Sequence, residues 1–294
     1  MTPCEQMEVD GYHVARGLLS GEEIARLRAP LERHFETGGT WERLGLYQGG
    51  LPCAVPELGW LFHHPAIVDR FRELLATDDI VFSGNAHANL NLISKWHRDT
   101  QEARGGVFDG DYFARPECRV YRAAVYLQDH TDGLGLRIRR GSHRVREADA
   151  LPAETLLTRT GDVIFFDYRT EHSGVLPDPF ERAMIYAARR LKHPDWLVAL
   201  KNGYWRITGK PRKLAIFFAY GGVDPDTETF CRFEMGIRRE RVGADRCRLP
   251  EALRDNLARA GILTFEAVLE QRFGPDVLDA YALAGTLPKE RLWV

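Results

Sequence analysis

The sequence predicts a mainly β fold with flanking helices, in which an antiparallel sandwich or barrel occupies about residues 79–220. The first observation is a succession of short β-prone runs at 79–82, 86–93, 119–127, 134–138, 162–166, 182–188 and 213–220, separated by Gly, Pro and Asp turns. The second is that no helix-period stretch falls between them, which argues against alternating β/α units. The third is that helical spacing of apolar residues returns on both sides of this block.

The elements follow in order. Gly11 to Leu19 reads as a short strand and turn. Ser20 stands as a helix N-cap with Glu22 and Glu23 in the first turn, and Ile24, Leu27, Leu31 and Phe35 follow at helical spacing. A second helix over 65–76 turns Ile67, Val68, Phe71, Leu74 and Leu75 inward. Helices are expected again at 249–260, 265–273 and 276–284. No repeat, low-complexity tract or linker interrupts this order. A single domain over 1–294 is therefore expected, with N-terminal helices at 20–76 and a C-terminal helical extension at 225–294.

Composition narrows the function classes. Hydrophobic residues make up 44% of the 294, enough for a packed core, and the 40 basic and 42 acidic residues nearly cancel. That balance leaves no nucleic-acid footprint; the cluster Arg137, Arg139, Arg140 and Arg144 is too short and reads as a strand and its turn. The 5 cysteines are scattered without a C-x-x-C pair, so neither a disulfide framework nor a zinc ribbon is expected. No apolar run reaches the roughly 18 residues needed to span a bilayer, and the polar start lacks a signal core. The expectation is a cytoplasmic protein with a small-molecule substrate, no nucleic-acid or membrane partner, and an oligomeric state the sequence leaves open.

Chemistry concentrates at two places. His97-Arg98-Asp99 follows the apolar run ending at Ile93, and in extended chain His97 and Asp99 project to the same side. Two imidazoles and one carboxylate on one face of an octahedron form the facial triad of non-haem iron(II), with open positions opposite. The second imidazole is expected from His172, delivered by the run that begins at Gly161-Asp162. Arg182 follows His172 at the head of a β-prone run, where a guanidinium could grip a dicarboxylate's far end.

In this order the residues resemble the phytanoyl-CoA dioxygenase family of iron(II)/2-oxoglutarate oxygenases. The likeness runs through 11–20, His97-Arg-Asp99, Tyr126 to Arg137, Gly141-Ser-His-Arg144, Gly161-Asp162, His172 and Arg182. It departs at Arg140, where the family usually has Pro, and at Pro177-Asp-Pro-Phe180, which replaces an Asn-x-Ser pair. The resemblance implies a double-stranded β-helix, iron(II) held by His97, Asp99 and His172, and 2-oxoglutarate and dioxygen as co-substrates. It likewise implies that Arg182 binds the distal carboxylate of 2-oxoglutarate. The expected reaction is hydroxylation of a small metabolite with release of succinate and carbon dioxide. Desaturation, epimerisation or cyclisation at the same site, and a non-catalytic metal- or acid-binding β-helix, are the alternatives. In related halogenases a small residue replaces the carboxylate, so Asp99 favours hydroxylation or another oxidative outcome.

Further candidates are less specific. Asn85, His87, Asn89 and Asn91 alternate with Ala86, Ala88, Leu90 and Leu92, so the polar stripe either faces solvent or lines the barrel, where the co-substrate needs partners. Arg122 and Tyr126 share that ambiguity. His143 is expected to be structural. The Gly-rich segment 100–118 is expected to cover the substrate, whereas Trp196, Tyr204 and Trp205 read first as core packing.

Overall fold

The computed structural model describes residues 1–277 apart from 43, 101–105, 131–134, 175–176, 192–194, 211, 243–247 and 276. The elements are, in order, α1 (Pro3–Asp10), β1 (Tyr12–Ala15), α2 (Gly21–Thr37), β2 (Thr40–Glu42), β3 (Gly45–Gly49), α3 (Leu51–Ala54), α4 (Pro65–Leu75) and β4 (Ile80–Leu90). Then come β5 (Val120–Tyr126), β6 (Arg137–Arg139), β7 (Ala153–Thr155), β8 (Val163–Asp167), β9 (His172–Ser173), α5 (Pro179–Leu191) and α6 (Asp195–Ile207). The chain continues through β10 (Leu214–Gly222), α7 (Pro225–Val242), α8 (Glu251–Arg259), β11 (Ile262–Thr264) and α9 (Phe265–Phe273).

These strands build a double-stranded β-helix. The major sheet runs β1-β8-β5-β10-β4-β3-β2, with β11 added parallel to β4; the minor sheet runs β7-β6-β9. A two-bond bridge between His97 and His172 adds the segment before Asp99 to the minor sheet (His97 N–H to His172 O 3.0 Å, His172 N–H to His97 O 2.9 Å). No helix among the described residues is long and apolar enough to cross a membrane.

Alternation along the strands sorts the side chains. Ala86, Ala88 and Leu90 of β4 and Leu214, Ile216 and Phe218 of β10 point to the outer face of the major sheet. There they pack against Ile24, Leu27 and Leu31 of α2, Ile67 and Phe71 of α4, and Leu253 and Leu257 of α8. Both N-terminal helices bury the residues their spacing predicts, and Ser20 closes a capping box with Glu23. On the inner face, Ala124 and Tyr126 of β5, Ile164 and Phe166 of β8 and Ala215 and Phe217 of β10 meet Leu136, Ile138 and Leu156 from the minor-sheet side. The turn at Gly161 requires glycine: its φ is +98°, and a Cβ there would stand 2.3 Å from the Leu19 carbonyl oxygen. Asp162 then accepts hydrogen bonds from Gly17 N–H and Arg16 and fastens β8 to β1.

Three expectations are corrected. The runs at 79–82 and 86–93 are one bulged strand, β4, whose register shifts opposite Phe218 and Tyr220. The run at 182–188 is helix α5, not a strand: Pro179 opens it, and Met184 and Ala188 face inward at i and i+4. The described part of segment 100–118 is a plug, because Val107, Phe108, Tyr112, Phe113 and Cys118 are buried against Tyr168, Ala219 and Phe230. Residues 101–105 of that segment and nearly all of the expected helix at 276–284 lie outside the described residues.

Candidate metal centre

His97 and Asp99 arrive on the extended segment after β4, and His172 opens β9, so the bridge between the two segments fixes their register. One ligand atom from each of His97, Asp99 and His172 lies within 4.8 Å of the others, a group that could hold a metal ion. His97 Nε2 is 3.9 Å from Asp99 Oδ1, and His172 Nε2 is 3.5 Å from Asp99 Oδ2. The imidazole centroids are 4.5 Å apart.

Both rings are aimed from behind. His97 Nδ1 lies 2.7 Å from the Lys95 carbonyl oxygen, and His172 Nδ1 lies 3.0 Å from that of Thr170. A carbonyl only accepts, so each Nδ1 carries the proton and each Nε2 lone pair is left for a metal, the arrangement expected of metal-ligating histidines. Burial pushes the His172 imidazole down to about 4, against the opposing pull of Asp99, so its neutral form is the one present near neutrality. Burial alone would raise Asp99, but the Arg122 guanidinium overrides it, helped by His172 and His97, and holds the carboxyl below its ordinary range.

Arg122 rises from the inner face of β5. Its Nη1 donates to Asp99 Oδ2, and its Nη2 donates to Asn85 Oδ1 and Tyr168 Oη at 2.9 Å each. The centre therefore spans the two sheets, with imidazoles from the minor sheet and the carboxylate's partner from the major one. Outside the ligands, Arg98 donates to the carbonyl oxygens of Ser142, Val145 and Arg146. Trp96 lies under Arg137 and Arg139, with 5.3 and 4.7 Å from guanidinium carbon to ring centroid. These contacts hold the segment on the side away from the ligand atoms.

The residues fit a metal and an acid ligand on a second count. Arg122 Nε, Thr100 Oγ1 beside Asp99, Ser173 Oγ beside His172, and Asn89 Oδ1 are buried without a hydrogen-bond partner. Orphaned buried polar atoms are uncommon in native interiors and call for an explanation, of which an ion or ligand is one.

The other sequence candidates divide. Asn85, His87 and Asn89 do line the inside of the barrel: Asn89 pairs with Ala215 and His87 with Phe217, both inward-facing. His87 stacks on Phe217 at 5.1 Å and lies 5.2 Å from Tyr47 of β3. Asn91 instead closes the end of β4 with φ +56°, its Oδ1 accepting from Lys213 N–H. His143 is structural, buried with Nε2 3.1 Å from the Glu8 carbonyl oxygen. Trp205 is core, but Trp196 is exposed. Arg182 is the clear correction. It stands on the exposed side of α5, because the strand expected to carry it inward is a helix. Sequence reasoning also passed over Tyr168, whose Oη accepts from Arg122 beside the ligands. Lys213 immediately precedes β10, its N–H donating to Asn91 Oδ1, and one further step of the β10 alternation would be the face of Ala215 and Phe217.

No family model matches the chain, and no curated protein matches it. Solved structures do. The chain is similar to the non-heme α-ketoglutarate-dependent epimerase SnoN from nogalamycin biosynthesis, at 17% identity and TM-score 0.52 over 75% of this chain and 81% of that one. It is similar to the carbocyclase SnoK from the same biosynthesis, at 18% identity and TM-score 0.53 over 76% and 83%. HygX from Streptomyces hygroscopicus, solved with nickel and 2-oxoglutarate, follows at 15% identity and TM-score 0.51 over 76% and 88%. At these identities the common property is the fold.

Proposed function

We propose that the chain is an iron(II)- and 2-oxoglutarate-dependent oxygenase that hydroxylates a C–H bond of a small metabolite. The observation that carries this reading is the convergence of His97, Asp99 and His172, with both Nδ1 atoms tied back and Nε2 free to ligate. Bound there, ferrous iron would couple oxidative decarboxylation of 2-oxoglutarate, giving succinate and carbon dioxide, to oxidation of the substrate. SnoN and SnoK, by name α-ketoglutarate-dependent, supply precedents on this fold for epimerisation and carbocyclisation as alternative outcomes.

The chain's own residues supply geometry and charge. Arg122 occupies Oδ2 of Asp99 and leaves Oδ1 turned toward His97. Phe166, 4.9 Å from the His172 ring, and the plug of Phe108, Tyr168 and Phe230 keep water from that end of the barrel. Tyr47, His87, Asn89 and Phe217 offer ring faces and an amide to substrate on the side toward β3.

The distal carboxylate of 2-oxoglutarate needs a cation within the barrel, and we assign that role to Lys213 in place of Arg182. Lys213→Ala is expected to raise the KM for 2-oxoglutarate at least about tenfold, the scale of one charge-assisted hydrogen bond, with ferrous affinity unchanged. Arg182→Ala should leave both values within twofold of the parent. The reverse pattern in steady-state kinetics would restore Arg182. The reading as a whole is tested by anaerobic loading with ferrous iron and measurement of succinate against a metabolite panel. A chain that binds iron yet never turns over 2-oxoglutarate would be a binding protein instead.

A further inference from the structure

Helix α6 is apolar on two faces. Leu197, Val198, Lys201 and Trp205 are turned into the protein. Across the helix Trp196, Leu200, Gly203 and Ile207 form a second stripe at spacings of four, three and four, the alternation of a helix–helix seam. These side chains are open to solvent: Trp196 is 58% exposed, Leu200 46% and Ile207 85%. Phe180 of α5, 42% exposed, extends the patch, its ring tilted against Tyr204 with centroids 4.6 Å apart. Scattered exposed apolar residues need no account, but a contiguous seam does.

Gly203 indicates what the seam accepts. A glycine inside an exposed helix costs roughly 1 kcal/mol relative to alanine, yet a Cβ at Gly203 would meet nothing within 4 Å in its own chain. Nothing within the protomer requires the missing side chain; a helix packed closely against it would.

We infer that this face binds a second copy of the chain, α6 against α6 in antiparallel register. In that register Leu200 of one copy sits opposite Gly203 of the other, a protruding side chain against a vacant position, and Trp196 sits opposite Ile207. The flanking Arg206 meets the level of Leu197 in the other copy and Ala199 meets Tyr204, so no cation directly opposes a cation. The described exposed residues of α5 and α6 include Arg182, Arg190 and Arg206 but no Asp or Glu, so the two rims repel and the dimer, held by its apolar seam, should tighten as salt is raised. Arg190 already rests on the Tyr186 ring at 4.8 Å, a form in which guanidinium enters interfaces readily. At about 200 Å² for a large apolar side chain, the exposed fractions of Trp196, Leu200, Ile207 and Phe180 give roughly 500 Å² of apolar contact per copy. That is most of the ~800 Å² per partner of a standard interface, before a polar rim is added.

The inference does not depend on the chemistry at the metal centre. Sedimentation equilibrium of the full chain across the micromolar range is expected to show a monomer–dimer equilibrium. Ile207→Asp should raise its dissociation constant at least tenfold with the circular dichroism spectrum and melting temperature of the monomer unchanged. Gly203→Ala supplies the second readout: it should raise the melting temperature of dilute monomer while weakening the dimer, because the added methyl fills the space the partner needs. A strictly monomeric chain overturns the inference. So does a dimer indifferent to both substitutions, whether it forms elsewhere or this face takes another protein.

Discussion

Asp99→Ala is expected to abolish succinate formation and also to lower the stability of the metal-free protein by about 3–5 kcal/mol. The first effect follows from losing the only carboxylate of the ligand group. The second arises because Arg122 and Asp99 are both buried, and removing one partner leaves an uncompensated charge inside the barrel. For a chain of this size the melting temperature should fall by roughly 5–8 °C. A companion double variant separates the two effects. Asp99→Leu with Arg122→Met removes both charges, so stability should return to within about 1–2 kcal/mol of the parent while turnover stays absent. Measured succinate release at the parent rate from Asp99→Ala would refute the ligand assignment outright.

Lys201 gives the second large effect, and it is read by pH. The residue is 1% exposed, and its ammonium donates to the Leu44 carbonyl oxygen at 2.5 Å and lies 4.5 Å from the Trp205 ring centroid. Burial pushes its pKa down to about 8, outweighing the opposing pull of Glu181. The folded state thus releases this proton near pH 8, whereas the unfolded chain keeps it to about 10.4. Below pH 8 both states are protonated and folding carries the full penalty of burying the charge, about 3 kcal/mol. Between those pH values the unfolded chain binds more protons, so the parent gains stability as pH rises. Lys201→Met removes the titration and keeps the stem. The stability of the parent relative to this variant should therefore climb by about 3 kcal/mol from pH 7.5 to 10.5, as measured by urea unfolding. A difference that stays flat with pH would mean the amine is not buried as described.

What the sequence disclosed, and what it hid, divides along one physical line. Ile24, Leu27, Leu31 and Phe35 announce their helix because a single period decides which face is buried. The ligand triplet was legible because H-x-D in extended chain needs no partner strand to place its two side chains together. Arg182 misled because the run from Ala183 to Ala188 is apolar at nearly every position and carries no period that separates strand from helix. Counting residues onward from His172 also assumed a short connection. Instead, α5 and α6 lie between β9 and β10, so the residues that follow His172 at that distance fall on a helix. Tyr168 could not be read without strand pairing, since what qualifies it is Arg122, a neighbour distant in sequence. Arg122 was visible only as an ambiguous alternation, resolved by its contact with Asp99.

The placement of the imidazoles on one sheet and of Arg122 on the other carries a consequence for cohesion. All three ligands stand on the minor-sheet side, so the Asp99–Arg122 pair is the rivet between the layers, and the free energy of cation capture adds to the stability of the folded chain as a whole. Titrating a redox-inert divalent ion should then move the melting curve upward in step with site occupancy. Heat resistance becomes a direct gauge of loading.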